Sequence, residues 1–350
     1  MTREISLNDL MEVHENNERI LVDVRSPGEF EEGSIPGSIN IPVFDNEERA
    51  EIGTIYKQVG SEAAKERGLE IFSAKLPEFV KAFKELERPV SVFCWRGGMR
   101  SKTAATTTEL MGVDVNRLTG GIRTYRQWVV QCLESFDFTP ELLVLNGYTG
   151  SGKTLILNQL KEEGYPIIDL EKMAGHRGSI FGQIGLEPSN QKKFDSLLIT
   201  ELRKLKNSPY ILIEGESRRI GRVHMPDFLH EKKENAPQLF LDLPAEERVK
   251  NILKDYQPDQ TPDQFMEAFE KIERRIHTPI SREIRALLTN RDYEEAVKLL
   301  LIYYYDPRYE HSISSQDGSH TFIQAESMEE AYEKVKAAAD SFRLSASRQH

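Results

Sequence analysis

The sequence predicts an α/β chain of two sheet-based domains, the second a parallel-sheet domain with a helical C-terminal insertion. Short apolar runs alternate with helical periodicity along both halves, as strands joined by helical crossovers do. Two glycine-bearing loops, CWRGGMRS and GYTGSGKT, each follow one of those runs, so each half carries a strand, an anion-sized loop and a helix in succession. At 350 residues the chain is long for one hydrophobic core and comfortable for two.

The first domain is expected over residues 1–136. Ile20 to Val24 reads as a buried strand, and RSPGEFEEGSIPGSINIP after it is turn-rich, with Pro and Gly every few residues. Ala63 to Leu86 has helical patterning, Val90 to Phe93 is a second strand, and Ser101 to Met111 is a helix. Glu134 to Glu141 lacks periodicity and holds Pro140, which marks the boundary. Leu142 to Leu145 opens the second domain, 141–245, with further strand-like runs at Ile167 to Leu170, Tyr210 to Ile213 and Leu239 to Leu243. From Glu246 to Tyr305 the pattern is helical and charged, ending on the apolar stretch from Ala296, so 246–311 is expected to be a helical C-terminal insertion. HTFIQA and MEEAYEKVKAAADSF, within 312–345, are expected to return to the second sheet as strand and helix. RLSASRQH, Arg343 to His350 and so including 346–350, is expected to be a disordered tail.

A formal charge of -11 repels polyanions on average, so a nucleic-acid partner requires a local basic surface. Arg218, Arg219 and Arg222, and farther on Arg274, Arg275, His277, Arg282 and Arg285, are the candidates; the commoner role of such charges is to solvate helix faces. No apolar stretch approaches the roughly 18 residues a membrane span needs, and MTREISLNDL has no apolar segment of a leader, so a cytoplasmic location without membrane association is expected. Only Cys94 and Cys132 occur, which argues against a disulfide framework and for a reducing compartment.

An ordinary thiol, pKa about 8.5, is mostly protonated at neutral pH and becomes a nucleophile where positive charge or amide dipoles favour the anion. Around Cys94, Gly97 and Gly98 let successive backbone N–H groups curl inward, Arg96 and Arg100 add full charges, and the helix beginning near Ser101 adds its dipole. These surroundings favour a catalytic Cys94 over a small core residue, whereas Cys132 in QWVVQCLES reads as a core or incidental thiol.

GYTGSGKT satisfies G-x-x-x-x-G-K-[ST] between the strand LLVLN and the helical LILNQLKEEG, the context of a phosphate-binding P-loop. Backbone amides of Gly147, Gly150, Ser151, Gly152 and Lys153 are expected to cradle a diphosphate, the Lys153 ammonium to neutralise its terminal phosphate, and Thr154 to ligate Mg²⁺. Asp169 and Glu214, each ending an apolar run, either face that metal or cap a turn. The motif specifies a diphosphate without specifying ATP, since no hydrolysis strand with a water-positioning residue stands out.

DVRSPGEF, GSIPGSINIP, the Cys94 loop and TGGIRTYRQW follow the order of the rhodanese family, which the first domain resembles. That resemblance implies transfer of sulfur, or of its heavier congener, through a persulfide-like adduct on the cysteine. Cys94 to Arg100 encloses five residues, one more than a typical sulfurtransferase loop of the family and similar to the related dual-specificity phosphatases. A phosphatase and a phosphorylated chalcogen donor both stay open.

Across the whole chain, ERAEIGTIYKQVG (Glu48 to Gly60), CWRGGMRS, GGIRTYR, GYTGSGKT, LEKMAGHRGSIFG (Leu170 to Gly182), IEGESRRIG (Ile213 to Gly221) and YYDPRY (Tyr304 to Tyr309) resemble the tRNA 2-selenouridine synthase family, a rhodanese-like domain fused to a P-loop NTPase-like one. The resemblance implies a transferase acting on tRNA with 2-thiouridine at the wobble position, converting it to 2-selenouridine through an S-geranyl intermediate, with geranyl diphosphate and selenophosphate as co-substrates. Cys94, Arg96 and Arg100 would handle the selenium donor, and Lys153 with Mg²⁺ the departing diphosphate. His176 and Arg177 in HRGS and Arg218 and Arg219 in ESRR stand at family positions and are expected to contact tRNA or phosphate, Gly175 and Gly178 permitting close approach. Tyr304, Tyr305 and Tyr309 are expected in the core rather than stacked on a base. The rivals are an ATP-dependent sulfurtransferase or phosphatase-kinase fusion, and a non-catalytic tRNA-binding scaffold.

Overall fold

Two separate five-stranded sheets, parallel throughout, organise the chain in the computed structural model, which describes residues 3–308 and 320–346. The chain divides into two units, Met1–Phe136 with Asp195–Ile199, and Asp137–Phe194 with Thr200–His350.

In the first unit the strands are β1 (Arg3–Ile5), β2 (Ile20–Asp23), β3 (Ile39–Asn40), β4 (Val90–Phe93) and β5 (Val115–Leu118), in the order β1-β5-β4-β2-β3. All four residues of β4 are buried, Ser91 among them, as in a strand covered on both faces. Its helices are α1 (Leu7–Glu15), α2 (Pro27–Glu31), α3 (Asn46–Gln58), α4 (Ser61–Lys84), α5 (Met99–Leu110) and α6 (Gly121–Glu134). Val22, Val24, Phe72, Phe79, Phe83, Val90 and Val92 share one core with Cys94. Helix α3 fully buries none of its residues, although Ile52 and Ile55 on one side are half-buried; the Asp45 and Glu48 capping box starts it and the α4 partner supports it. Helix α5 begins at Met99 rather than Ser101, with Gly98 at its N-cap position.

The second unit holds β6 (Glu141–Gly147), β7 (Ile167–Ile168), β8 (Tyr210–Glu214), β11 (Gln238–Asp242) and β12 (His320–Gln324) in the order β12-β11-β6-β8-β7, with β9 (Arg219–Ile220) and β10 (Val223–His224) as a small antiparallel ribbon. The P-loop therefore leaves the central strand, beside the point where the chain first crosses to one side of the sheet and later to the other. β7 is shorter than the run to Leu170, because Asp169 accepts the Lys172 N–H at 2.8 Å and starts α8 (Leu170–Ala174) instead.

Helices α9 (Gln191–Leu205) and α10 (Asp227–Glu234) precede β8 and β11, and between β11 and β12 lie α11 (Ala245–Tyr256), α12 (Pro262–Glu270), α13 (Thr278–Thr289), α14 (Tyr293–Leu300) and a π-helical turn, Leu301–Tyr305, with their own core around Phe265, Phe269, Ile284 and Leu300. Tyr304 is buried in that core and Tyr305 packs against it; Tyr309 lies outside the described residues. β12 pairs in parallel with β11 from Gln238↔His320 to Asp242↔Gln324, and the helix Met328–Ala346 follows. Arg343 to Ala346 is therefore helical and not a disordered tail: Ala346 is buried in the same core as Leu145 and Tyr210, which holds the last turn in place. Residues 347–350 lie outside the described residues. Among the described residues no helix is long and apolar enough to cross a membrane.

Candidate active site

The thiol loop takes its shape from what holds its carbonyls. Ile122 N–H donates to Cys94 O at 2.9 Å, Arg123 N–H to Trp95 O at 3.1 Å, and the Arg117 guanidinium to Gly97 O at 2.7 Å. A trans peptide sets each N–H opposite the preceding C=O, so the amides of Trp95, Arg96 and Gly98 turn the other way. The start of α6 lies against the back of the loop so closely that a Cβ on Gly121 would stand 2.2 Å from Cys94 O and 2.5 Å from Gly97 N. Only glycine fits there, and its φ of 64° demands the same residue.

Cys94 is 3% exposed, deeper than an open nucleophile, because the loop folds over its own floor. Its Sγ lies 3.1 Å from Ser101 Oγ, in the first turn of α5. Arg100 faces the same region but is engaged: it pairs with Glu29, Nη2 to Oε1 at 3.2 Å, and although burial works in the opposite direction the guanidinium holds the Glu29 carboxyl below the usual range. Arg96 and Gly98 are exposed. Sequence reasoning missed the other wall. Arg25 makes a forked pair with Asp23, with contacts of 2.6 to 3.0 Å, and both are buried. Arg25, Ser26, Glu29, Arg49, Trp95 and Arg100 line a polar pocket of about 430 Å³. The signal was available in DVR, two opposite charges two residues apart at the end of an apolar strand and so on one face of it.

The P-loop joins β6 to α7 (Lys153–Glu162). Arg248 Nε donates to Thr149 O at 2.9 Å and Asn251 to Gly150 O at 2.9 Å, so α11 grips the loop's outer carbonyls; Arg248 is anchored in turn on Asp306 at 2.6 Å. Neither residue carries a sequence signal beyond being polar in an amphipathic helix. Gly147, Gly150 and Gly152 all have positive φ, and Ser151 Oγ is buried without a hydrogen-bond partner. Lys153 Nζ donates to Gly147 O at 3.0 Å, folded back over the loop it is expected to serve.

Thr154 Oγ1 donates to Glu171 at 2.8 Å and to Glu214 at 3.2 Å, and Glu171 N–H donates to Glu214 at 3.1 Å. Burial, then the neighbouring Glu216 charge, pushes the Glu171 carboxyl up to about 8; burial, then Glu171, pushes fully buried Glu214 well above the carboxylate range. A hydroxyl and two carboxylates form the hard-oxygen donor set that suits Mg²⁺. Of the two acids considered from sequence, Glu214 stands at Thr154 while Asp169 caps α8, its carboxyl raised by burial. Glu171 takes the second place, and nothing in its spacing from Thr154 signals this.

The HRGS and ESRR segments come together: a Cβ on Gly178 would meet the Glu216 carboxylate at 2.4 Å, and one on Gly221 the His176 ring at 2.7 Å. His176 accepts the Gly178 N–H at 3.2 Å through Nδ1, shaping the loop, and burial, then Arg177, lowers its pKa and so disfavours its charged form. Arg177 is turned inward, bonded to Asp255 at 2.7 Å and to Ile184 O at 2.8 Å, its guanidinium 4.6 Å from the Tyr256 ring centre. Arg218 and Arg219 are exposed, the first paired with Asp227 and the second donating to Gly221 O at 3.1 Å.

The family model described as the tRNA 2-selenouridine synthase AAA domain matches residues 140–341, and the rhodanese-like domain model matches residues 6–127. The tRNA 2-selenouridine synthase of Marinobacter nauticus is 31% identical over 336 residues, which are 86% of this chain and 90% of that protein. The chain belongs to the tRNA 2-selenouridine synthase family. Its relative of the same name in Nitrosomonas eutropha is 39% identical over 244 residues, 67% of this chain and 62% of that protein. The matched region thus spans under two thirds of that family member's length. The N-terminal domain of a putative ATP/GTP binding protein from Clostridium difficile 630 is 36% identical, over 36% of this chain and 98% of its own, with a TM-score of 0.34. With the family, the rhodanese-like first unit and the P-loop-type second unit are established together.

Proposed function

We propose that this protein is a cytoplasmic tRNA-modifying transferase that converts wobble 2-thiouridine to 2-selenouridine in two steps. The observation that carries this reading is the presence, in one chain of this family, of a thiol-floored loop beside arginines and of a separate diphosphate loop with an acidic hydroxyl site. In the first step the thiouridine sulfur attacks C1 of geranyl diphosphate, the C–O bond breaks, and diphosphate leaves with the electron pair while the base loses a proton. The P-loop amides and Lys153 receive that charge, and the orphan Ser151 hydroxyl is a donor a diphosphate oxygen satisfies. Thr154, Glu171 and Glu214 would hold Mg²⁺, which supplies positive charge to the leaving group when bound.

Alkylation turns a poor leaving group into a good one. In the second step selenium of selenophosphate bonds to C2 as the C2–S bond breaks; geranyl thiol leaves with a proton, water takes the phosphoryl group as phosphate, and no electrons change hands. Cys94 steers the incoming selenium toward C2 without itself forming a bond to it. Arg96 and Arg100 bind the donor phosphate, Arg100 exchanging its Glu29 partner for it. Exposed Arg218 and Arg219 serve the tRNA backbone better than inward-turned Arg177.

Nucleoside mass spectrometry on reactions of thiolated tRNA, geranyl diphosphate and selenophosphate tests the division of labour. Cys94→Ala should accumulate S-geranyl-2-thiouridine, and Lys153→Ala should leave 2-thiouridine unconverted. Identical products from both variants would overturn it, and robust ATP hydrolysis without response to geranyl diphosphate would favour an ATP-dependent sulfurtransferase.

A further inference from the structure

Beside the polar pocket of the thiol loop lies a larger cavity of about 980 Å³ with a mostly apolar lining that includes Phe44, Ile52, Gly53, Leu69, Phe72 and Met99. It sits among α3, α4 and the start of α5, all in the first unit. The two spaces are continuous in their walls: Arg49, Ala50, Trp95 and Arg100 line both. Leu69 is 68% exposed, Met99 60% and Trp95 41%, large apolar side chains gathered around one opening next to a reactive loop. A site with arginines at one end and an apolar trough at the other fits an amphiphile whose charged neighbour and greasy tail are joined through a short link.

We infer that this cavity holds the S-linked prenyl chain of the alkylated base while C2 is presented to the Cys94 loop. The inference rests on the proposed function in one respect, that the base reaching this loop is S-geranylated. A ten-carbon branched chain needs a pocket in the usual range of roughly 300–1,000 Å³ for small ligands, which this cavity meets. Burying the chain there gives the second step its selectivity: an S-alkyl group that fills the trough aligns C2 with the donor, and the thiol that leaves departs into apolar surroundings.

Gly53 offers a clean test. It lies inside α3, where a Cβ would meet nothing within 4 Å, and phenylalanine is a better helix former than glycine, so Gly53→Phe plugs the cavity without disturbing the fold. Leu69→Asp, on the exposed side of α4, puts a charge into the lining by a second route. The full chain and both variants are compared on two anticodon stem-loop RNAs, one with S-geranyl-2-thiouridine and one with S-methyl-2-thiouridine at the wobble position, by binding without donor and by turnover with selenophosphate. The wild-type protein should prefer the geranyl RNA in binding, and each variant should lower that preference at least tenfold. An absent wild-type preference, an unchanged preference in the variants, or an equal loss on both RNAs overturns the inference. Failure of the wild-type protein to form 2-selenouridine from either RNA overturns the proposed function instead, and the binding preference still decides the cavity.

Discussion

Thr154 is held between two carboxyls that burial keeps from ionising, which makes the second unit sensitive to pH in a defined direction. Glu171 titrates near 4.5 when unfolded and near 8 in the folded, metal-free protein. Its contribution to stability is therefore full below 4.5 and is lost as pH rises through about 8, because the unfolded chain ionises first. Thermal melts without metal should fall from pH 6 to pH 9, and Glu171→Gln should flatten that fall. Mg²⁺ favours the ionised form, so it should raise the melting temperature more at pH 8 than at pH 6, and Thr154→Ala should shrink the increment. In the first unit, Asp23→Asn leaves the buried Arg25 charge without its counter-ion and should cost about 3–5 kcal/mol in urea unfolding. Glu214 at a strand end was legible in the sequence; Glu171 was not, because its approach to Thr154 depends on the turn made by Asp169 and not on any spacing.

Helix α6 acts at the scale of elements. Its first residues supply the two N–H groups that pin Cys94 O and Trp95 O, and Gly121 sets how near it comes. Gly121→Ala collides with backbone on both sides of the loop, so it should reduce 2-selenouridine formation by a hundredfold or more, about 3 kcal/mol in barrier, while S-geranylation stays within a few-fold. Mass measurement of both nucleosides in one reaction decides it. The strands around Val90–Phe93 and Tyr210–Ile213 were readable because a strand buried on both faces is mostly apolar, Ser91 being the one polar residue within these two runs. Helix α3 was not singled out as an element because its apolar Ile52 and Ile55 are few and only half-buried among charged neighbours, and β7 was read too long because an N-cap competes with a strand for the same residue.

For the whole molecule, each sheet has its own apolar core, so damage to one should be readable apart from the other. Deleting 320–346 removes β12 and the helix whose Ala331, Val335 and Ala339 cover the second sheet. Amide exchange should then rise in β6, β8 and β11 and stay slow in β4. Division into two α/β units was legible from the alternation of runs and loops. The grip of Arg248 and Asn251 on the P-loop was not, since contacts across a hundred residues leave no local trace.

The edge strand β12 has a further consequence for how the molecule is made. A ribosome releases every strand of the thiol-bearing sheet before Glu141, yet the P-loop sheet must wait about 180 residues more for its last strand, a delay on the order of 10–40 s at ordinary elongation rates. During that interval the nascent protein carries one complete sheet and one with an open edge, and a chaperone that guards unpaired strands would find its client there.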